Sequence, residues 1–294
     1  MSDRKLMLCT DMDRTVIPNG VQSEYKLARK QFTDFCHLPQ VVLTYVTGRH
    51  QKLVRQAIKN YSLPLPDFAI TDVGTKIYHI VDQQWQALSA WEEEIDRDWG
   101  GRDHAQLKAL LDDFNYLQPQ ELAKQNTHKL SYYVSLHVNQ ETLLAQMSRR
   151  LEMAGVEASL IWSIDEPKGI GLLDVLPKNA TKLHAIDFLR RYAGFSLDEV
   201  VFAGDSGNDL PVLASEIPSV LVANAAEDVR EAALEQARNH GTEAALYLAT
   251  GNNSHDNGNY ASGVLEGIYH FSPPFRGALE QIGFTGSQQA VHSG

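Results

Sequence analysis

A strand that ends in two carboxylates one residue apart sets the terms for this chain. Lys5-Leu6-Met7-Leu8-Cys9-Thr10 is a short, mostly apolar run that reads as a buried strand, and Asp11-Met12-Asp13-Arg14-Thr15 follows at its C-terminal end. Two more runs of the same kind come next. A helical pattern over 24–37, with Leu27, Phe32 and Phe35 as its apolar positions, leads into Val41-Val42-Leu43-Thr44-Tyr45-Val46 and then Thr47-Gly48-Arg49. A second helix carries Leu53, Val54, Ala57, Ile58 and Tyr61, is broken by Pro64 and Pro66, and precedes a strand over 67–71 closed by Asp72-Val73-Gly74. Strand–helix–strand–helix–strand is the start of a doubly wound parallel sheet. Such sheets place their chemistry outside the C-terminal ends of the strands. Alternation along the chain points Asp11 and Asp13 the same way, and two like charges that close need a cation to stay ionised. Mg²⁺ suits carboxylate oxygens and phosphate substrates. The ordinary alternative is a capped Asx turn.

The texture changes near residue 81. Trp85, Trp91 and Trp99 come close together, and a helix is expected over 104–114. Leu130, Tyr132, Val134, Leu136 and Val138 then alternate with Ser131, Tyr133, Ser135 and His137, the pattern of a half-buried antiparallel strand. A helix over 141–154 and a strand over 156–164 follow. Residues 81–172 are therefore expected to form an inserted α+β domain between two core segments, 1–80 and 173–271. The parallel pattern resumes at Leu172-Leu173-Asp174-Val175-Leu176, with Asn179 as the expected cap of the next helix. A strand over 199–203 ends at Gly204-Asp205-Ser206-Gly207-Asn208-Asp209. Further strands at 219–223 and 245–248 and helices at 226–237 and 260–271 complete the core. Ser272-Pro273-Pro274 stops the last helix, and the Gly/Ser/Gln-containing tail over 272–294 reads as loose. The polar stretch 252–259 reads as a surface loop.

Composition narrows the function. With 294 residues, 43% of them hydrophobic and 21% charged, the chain has the balance of a folded globular protein with a sizeable core. A net charge of −11 argues against a nucleic-acid or anionic-membrane surface. No apolar run approaches the roughly 20 residues of a membrane span, and Met1 to Lys5 lead into the first strand without a signal-like apolar stretch. Cys9 and Cys36 have no metal-like spacing, and a disulfide framework is not expected. The expected location is the cytoplasm.

Four polar clusters fall at the ends of parallel strands or the start of a helix: Asp11/Asp13/Thr15, Thr47-Gly48, Lys182, and Asp205 with Asn208 and Asp209. Taken singly, Thr47 is an N-cap, Lys182 a solvated helix lysine and 204–209 an Asx-rich turn. As an ordered set they supply what phosphoryl transfer needs, namely a carboxylate nucleophile, an acid/base, a metal site and donors to the phosphoryl oxygens. The set resembles the four motifs of haloacid-dehalogenase superfamily phosphatases, with 81–172 where the family's C2-type cap belongs. The chain is also similar to the sucrose-phosphate phosphatase family up to about Phe271. The carrying stretches are 71–78, 128–134, 174–177, 204–209 and 261–268.

The resemblance implies a Rossmann-like core with an inserted cap, and Mg²⁺-dependent release of phosphate from a sugar phosphate. Sucrose 6-phosphate is the first expectation; mannosylfructose phosphate and glycosylglycerate phosphates are the alternatives. It implies Asp11 as nucleophile, Asp13 as acid and then base, and Thr47 and Lys182 holding the phosphoryl group. Asp11, the Asp13 carbonyl and Asp205 would bind the metal with support from Asp209. Gly48, Arg49 and Asn208 would lie against substrate, and Lys129 in the cap would meet a sugar hydroxyl. A non-catalytic partner of a sugar-phosphate synthase is the rival class, and a synthase the candidate protein partner. Arg14, Leu183 after Lys182, and Lys178 depart from the family's usual residues.

Overall fold

The computed structural model describes residues 5–251 and 257–285. In chain order the elements are β1 Leu6–Thr10, α1 Ala28–Cys36, β2 Val41–Val46, α2 Gln51–Tyr61, β3 Phe68–Thr71, β4 Lys76–Val81, β5 Gln84–Ala87, α3 Ser89–Asp96, α4 His104–Ala109, β6 Gln118–Pro119, β7 Leu130–Ser135, α5 Gln140–Met153, β8 Ala158–Asp165, β9 Ile170–Pro177, α6 Lys182–Tyr192, β10 Val200–Gly204, α7 Leu210–Leu213, β11 Ser219–Leu221, α8 Glu227–His240, β12 Leu246–Leu248, α9 Ala261–Phe271 and α10 Arg276–Gln281. They build an eight-stranded sheet in the order β12-β11-β10-β1-β2-β3-β4-β5 and a four-stranded sheet in the order β6-β7-β9-β8.

The large sheet is parallel from β12 to β3, and β4 and β5 add an antiparallel margin. Its two faces are sorted by the period-two alternation of the strands. Leu6 and Leu8 of β1 join Val201 and Ala203 of β10 in one cluster, packed with α1 and α9 residues such as Phe32, Val264 and Ile268. Met7 and Cys9 join Val200 and Phe202 in the other, with Ile186 and Leu189 of α6 and Trp91 of α3. Helices on both faces explain why these strands read as continuous apolar runs. The chain leaves β1 toward β2 and β3 on one side and returns later to β10 on the other. The switch point of the sheet is thus the crevice beyond β1 and β10, where ligands of open α/β sheets bind.

The small sheet is antiparallel and has its own core of Leu130, Tyr132, Val134, Leu173 and Val175 against Leu143, Met147 and Leu151 of α5. Four expectations need correction. Leu172–Leu176 does not resume the parallel sheet: β9 lies between β7 and β8, pairing antiparallel with both. Conversely, β4 and β5 extend the large sheet past residue 81. The cap of α6 is Thr181, whose hydroxyl accepts from His184 N at 3.1 Å, while Asn179 bonds Asp98. The tail expected to be loose is helical over 276–281, and Phe275, Leu279 and Phe284 are buried in the first core cluster. Residues 286–294 lie outside the described residues, as do 252–256 of the expected surface loop. Asn257 and Asn259 both donate to the Ser23 carbonyl.

Helix α9 approaches the sheet so closely that only glycine fits at one contact. A Cβ on Gly267 would stand 2.5 Å from Val220 Cβ and 2.6 Å from its Cγ1. Alanine is the better helix former by about 0.8–1 kcal/mol, yet overpacking a filled core costs about 1–3 kcal/mol. Gly267→Ala should therefore lower the urea midpoint at unchanged slope; a midpoint raised by the substitution would show that the contact relaxes freely.

Candidate active site

The end of β1 is fixed by Asp11 N donating to the Ala203 carbonyl at 2.8 Å, which carries the strand pairing into the loop. Asp11 is buried, and its Oδ1 accepts from Met12 N at 2.8 Å. The loop then folds back, with the N–H groups of Val16 and Ile17 donating to the Met12 carbonyl. At the end of β10, the close approach of Asp209 makes Gly204 necessary: a Cβ there would meet Asp209 Cγ at 2.6 Å. Asp209 Oδ2 accepts from the N–H groups of Asp205 and Ser206, both at 3.1 Å, so it ties its own turn.

Lys182 enters from the first turn of α6. Its Nζ donates to Asp209 Oδ1 at 2.7 Å and Asn208 Oδ1 at 2.9 Å, and lies 3.4 Å from Asp11 Oδ1. It is 4% exposed, so the solvated-lysine reading fails. Carboxylate oxygens of Asp11, Asp205 and Asp209 can all lie within 4.8 Å of one another. Asp205 takes a hydrogen bond from Thr15 Oγ1 at 3.1 Å and has Arg14 Nε at 3.4 Å. A purely oxygen donor set of this kind fits a hard divalent cation such as Mg²⁺.

Electrostatics point the same way. Burial pushes the Asp11 carboxyl up to about 8; Lys182 opposes the shift, and Asp209 and Asp205 add to it. Burial and the neighbouring Asp209 push Asp205 up to about 6. For Lys182, burial disfavours the charge, but Asp11 and Asp209 outweigh it and hold the amine above its usual value.

Asp13 stands apart from the three. Arg49 grips it with two bonds, Nε to Oδ2 at 2.6 Å and a terminal nitrogen to Oδ1 at 2.5 Å, and Asn19 Nδ2 adds a third at 2.7 Å. Burial alone would raise this carboxyl; the Arg49 and Asn19 bonds reverse the sign and hold it below its ordinary value. A cavity of about 380 Å³ opens beside Asp11, Asp13 and Asp205, with Gly48, Arg49 and Asn208 also in its wall. Thr47 is buried, and its hydroxyl accepts from Arg49 N at 3.2 Å.

The residue model of sucrose-6F-phosphate phosphohydrolases matches residues 4–272. The chain belongs to that family. It is accordingly a sugar-phosphate phosphatase of the haloacid-dehalogenase type. A Nitrosococcus oceani protein named "Putative HAD-like hydrolase" is 49% identical, over 94% of this chain and 74% of its own. The mannosylfructose-phosphate phosphatase of Agrobacterium fabrum is 27% identical, over 90% of this chain and 96% of its own. The sucrose-phosphatase of Synechocystis, solved with sucrose and phosphate, superposes with a TM-score of 0.66 at 25% identity, covering 91% of this chain and 98% of that one. The chain spans only about 60% of the length of the tobacco sucrose-phosphatase it matches at 26% identity.

Lys129 does not line the cavity; it belongs to the small-sheet region, with Nζ 3.3 Å from Asp174 Oδ2. Asp174 also accepts from Ser131 Oγ at 2.5 Å. The sequence reading did not foresee Asp174, nor Asn19 on Asp13. The signal for Asn19 was the Asn19-Gly20 turn dipeptide, for Asp174 a carboxylate inside an otherwise apolar strand.

The raised carboxyls give the metal-free protein a pH dependence of definite sign. Between the ordinary value of 3.8 and the folded values near 6 and 8, the folded state binds more protons than the unfolded one. This contribution to stability is complete below pH 4 and is lost as pH rises through 6 to 8. In chelator, the Tm difference between wild type and Asp11→Asn should shift in favour of the variant as pH climbs from 5 to 8. A constant difference would mean that Asp11 is not proton-bound in the metal-free fold.

Proposed function

We propose that this chain is a Mg²⁺-dependent phosphatase that releases phosphate from sucrose 6-phosphate through an aspartyl phosphate on Asp11. The observation that carries the reading is a buried carboxylate at the sheet's switch point, 3.4 Å from a buried lysine and beside two further carboxylates. Asp11, Asp205 and Asp209, with the Asp13 carbonyl, would hold the cation. When bound, it supplies positive charge that keeps Asp11 ionised and draws the phosphate into a field otherwise negative.

The residues divide the work. An Asp11 oxygen bonds to phosphorus as the bond from phosphorus to the sugar oxygen breaks. Asp13 gives its proton to that oxygen, then takes one from the water that cleaves the aspartyl phosphate and frees Asp11. In the resting geometry Arg49 holds Asp13 as a carboxylate, which suits the second role and opposes the first. An arriving phosphate dianion offers Arg49 a second bidentate partner, so substrate itself loosens the grip on Asp13. Lys182 stays where it is and meets the phosphoryl oxygens with Thr47 and Asn208.

None of these groups reads a sugar. Selection falls to the small sheet, where Lys129 and Asp174 form a donor–acceptor pair suited to neighbouring hydroxyls. The Agrobacterium relative is about as similar as the sucrose-phosphatases, so mannosylfructose phosphate is the second candidate. A silent partner of a sugar-phosphate synthase would have no need of Asp11, Asp13, Lys182 and Asp205 together.

A phosphate-release screen over sucrose 6-phosphate, mannosylfructose phosphate and hexose phosphates tests the substrate. The highest kcat/KM should fall on sucrose 6-phosphate; no preference over hexose phosphates would sink the assignment. Asp11→Asn should abolish turnover with the fold intact, and residual activity within about tenfold of wild type would remove it as nucleophile. Ca²⁺ should inhibit, because it takes more ligands at longer distances and misplaces Asp11. Lys129→Ala should lower kcat/KM for sucrose 6-phosphate by roughly tenfold, the scale of a hydrogen bond to a charged group, and spare p-nitrophenyl phosphate. Equal losses on both substrates would place Lys129 in structural support.

A further inference from the structure

Arg14 sits where the acidic cluster meets the cavity. Its backbone is in the left-handed region, at φ 58°. The conformation is held at three points: Arg14 N donates to Asn19 Oδ1 at 2.9 Å, the Arg14 carbonyl accepts from Asn224 Nδ2 at 2.7 Å, and a terminal guanidinium nitrogen donates to the Asn224 carbonyl at 3.1 Å. Arg14 also forms part of the cavity wall. Its Nε is buried, has no hydrogen-bond partner, and lies 3.4 Å from Asp205 Oδ2.

The three carboxylates of the cluster therefore divide between two built-in cations. Lys182 serves Asp11 and Asp209, and Arg14 serves Asp205. Three carboxylates face two built-in cations before any metal arrives. We infer that Arg14 is an internal counter-cation that competes with the divalent ion for Asp205 and thereby weakens metal binding. The inference rests on the proposed assignment of Asp11, Asp205 and Asp209 as the metal site.

The geometry separates this from a purely orienting role. Orientation needs a directional bond, and Asp205 has one from Thr15 Oγ1 at 3.1 Å. The Arg14 contact is longer and makes no hydrogen bond, so what it contributes is charge. An ion entering the cluster meets both the occupied carboxylate and the repulsion of the guanidinium. Arg14 is 43% exposed at its side chain, so salt should screen that repulsion in part. A positive residue anchored to Asn224, rather than free to swing away, keeps the competition permanent.

The test is calorimetric titration of the metal-free full chain with MgCl₂ and MnCl₂, without substrate. Arg14→Asn removes the charge and keeps a residue type that tolerates positive φ. Its Kd for either ion should be about three- to tenfold lower than wild type, the scale of one partly screened ion pair acting on a divalent charge. Arg14→Lys, which keeps the charge, should stay within about twofold of wild type. The gap between wild type and Arg14→Asn should narrow in about 1 M salt, where the screening length falls to about 3 Å. Unchanged or weaker binding by an Arg14→Asn protein that melts cooperatively would overturn the inference and make Arg14 an orienting residue. Tighter binding by both variants would also overturn it, since charge would not be the cause. Absence of binding by the wild type and both variants would instead overturn the metal assignment beneath it.

Discussion

Like charges crowded into a buried crevice are the constraint on which this molecule depends. Asp11, Asp205 and Asp209 come from two neighbouring strand ends, and the sheet brings them together whether or not they repel. Burial removes the water that would screen them, which is why Asp11 is driven up to about 8. Lys182 makes the arrangement tolerable. It is itself too buried to carry a charge without partners, and the two strands supply those partners. Removing either side would leave a buried charge uncompensated, at a cost of about 3–5 kcal/mol. The site is thus held by mutual need between α6 and the ends of β1 and β10.

That dependence explains why the surrounding backbone is so tightly specified. Gly204 lets Asp209 come close enough to bond the N–H groups of its own turn. Thr181, not the cluster, satisfies the start of α6, leaving the Lys182 side chain free to reach inward. On the far side of the switch point, Arg49 and Asn19 hold Asp13 in the opposite electrostatic regime, below its ordinary value. Two carboxylates separated by a single residue are held on opposite sides of their ordinary value, one by burial and the other by hydrogen bonds from the Arg49 guanidinium and the Asn19 amide. For a nucleophile beside a general acid the order is the reverse of the one needed, so on the proposed reading a cation at Asp11 and a phosphate partner for Arg49 would have to invert it.

What could be read from the sequence was what is local. The strand-end clusters were legible because period-two alternation and a polar terminus are written within a few residues. Membership of a sheet is not local. Leu172–Leu176 has the apolar run of a core strand, but its partners are β7 and β8, which only the folded small sheet supplies. The β4–β5 hairpin escaped notice because its turn, Asp82-Gln83, takes φ of 50° and 65° without the glycine that usually marks such turns. The C-terminal segment was misjudged for the reverse reason: Pro273-Pro274 looks like an ending, yet the spacing of Phe275, Leu279 and Phe284 completes the core beside α1. In the site, Asp11, Lys182, Asp205 and Asp209 converge as their motif order implied. Of the pairing of Lys129 with Asp174, only half was marked in the sequence, as a carboxylate inside an otherwise apolar strand; its partner immediately precedes another strand.

The separation between the two sheets carries a functional consequence. The cavity beside Asp11 has walls from the large-sheet domain alone, and its polar groups suit a phosphate and a cation, common to every phosphomonoester. On the proposed reading the groups that would meet a sugar lie on the small sheet, where they are already paired: Lys129 with Asp174, and Asp174 with Ser131. Such a pre-formed pair loses little entropy on meeting a ligand, but it must be offered hydroxyls that replace both halves of the bond, or one group is left unpaired. A substrate with a phosphate and no correctly placed hydroxyls satisfies the first sheet and not the second. Chemistry and recognition can therefore vary independently in this architecture, the first fixed by charge balance at a strand end and the second by which polar pairs the small sheet presents.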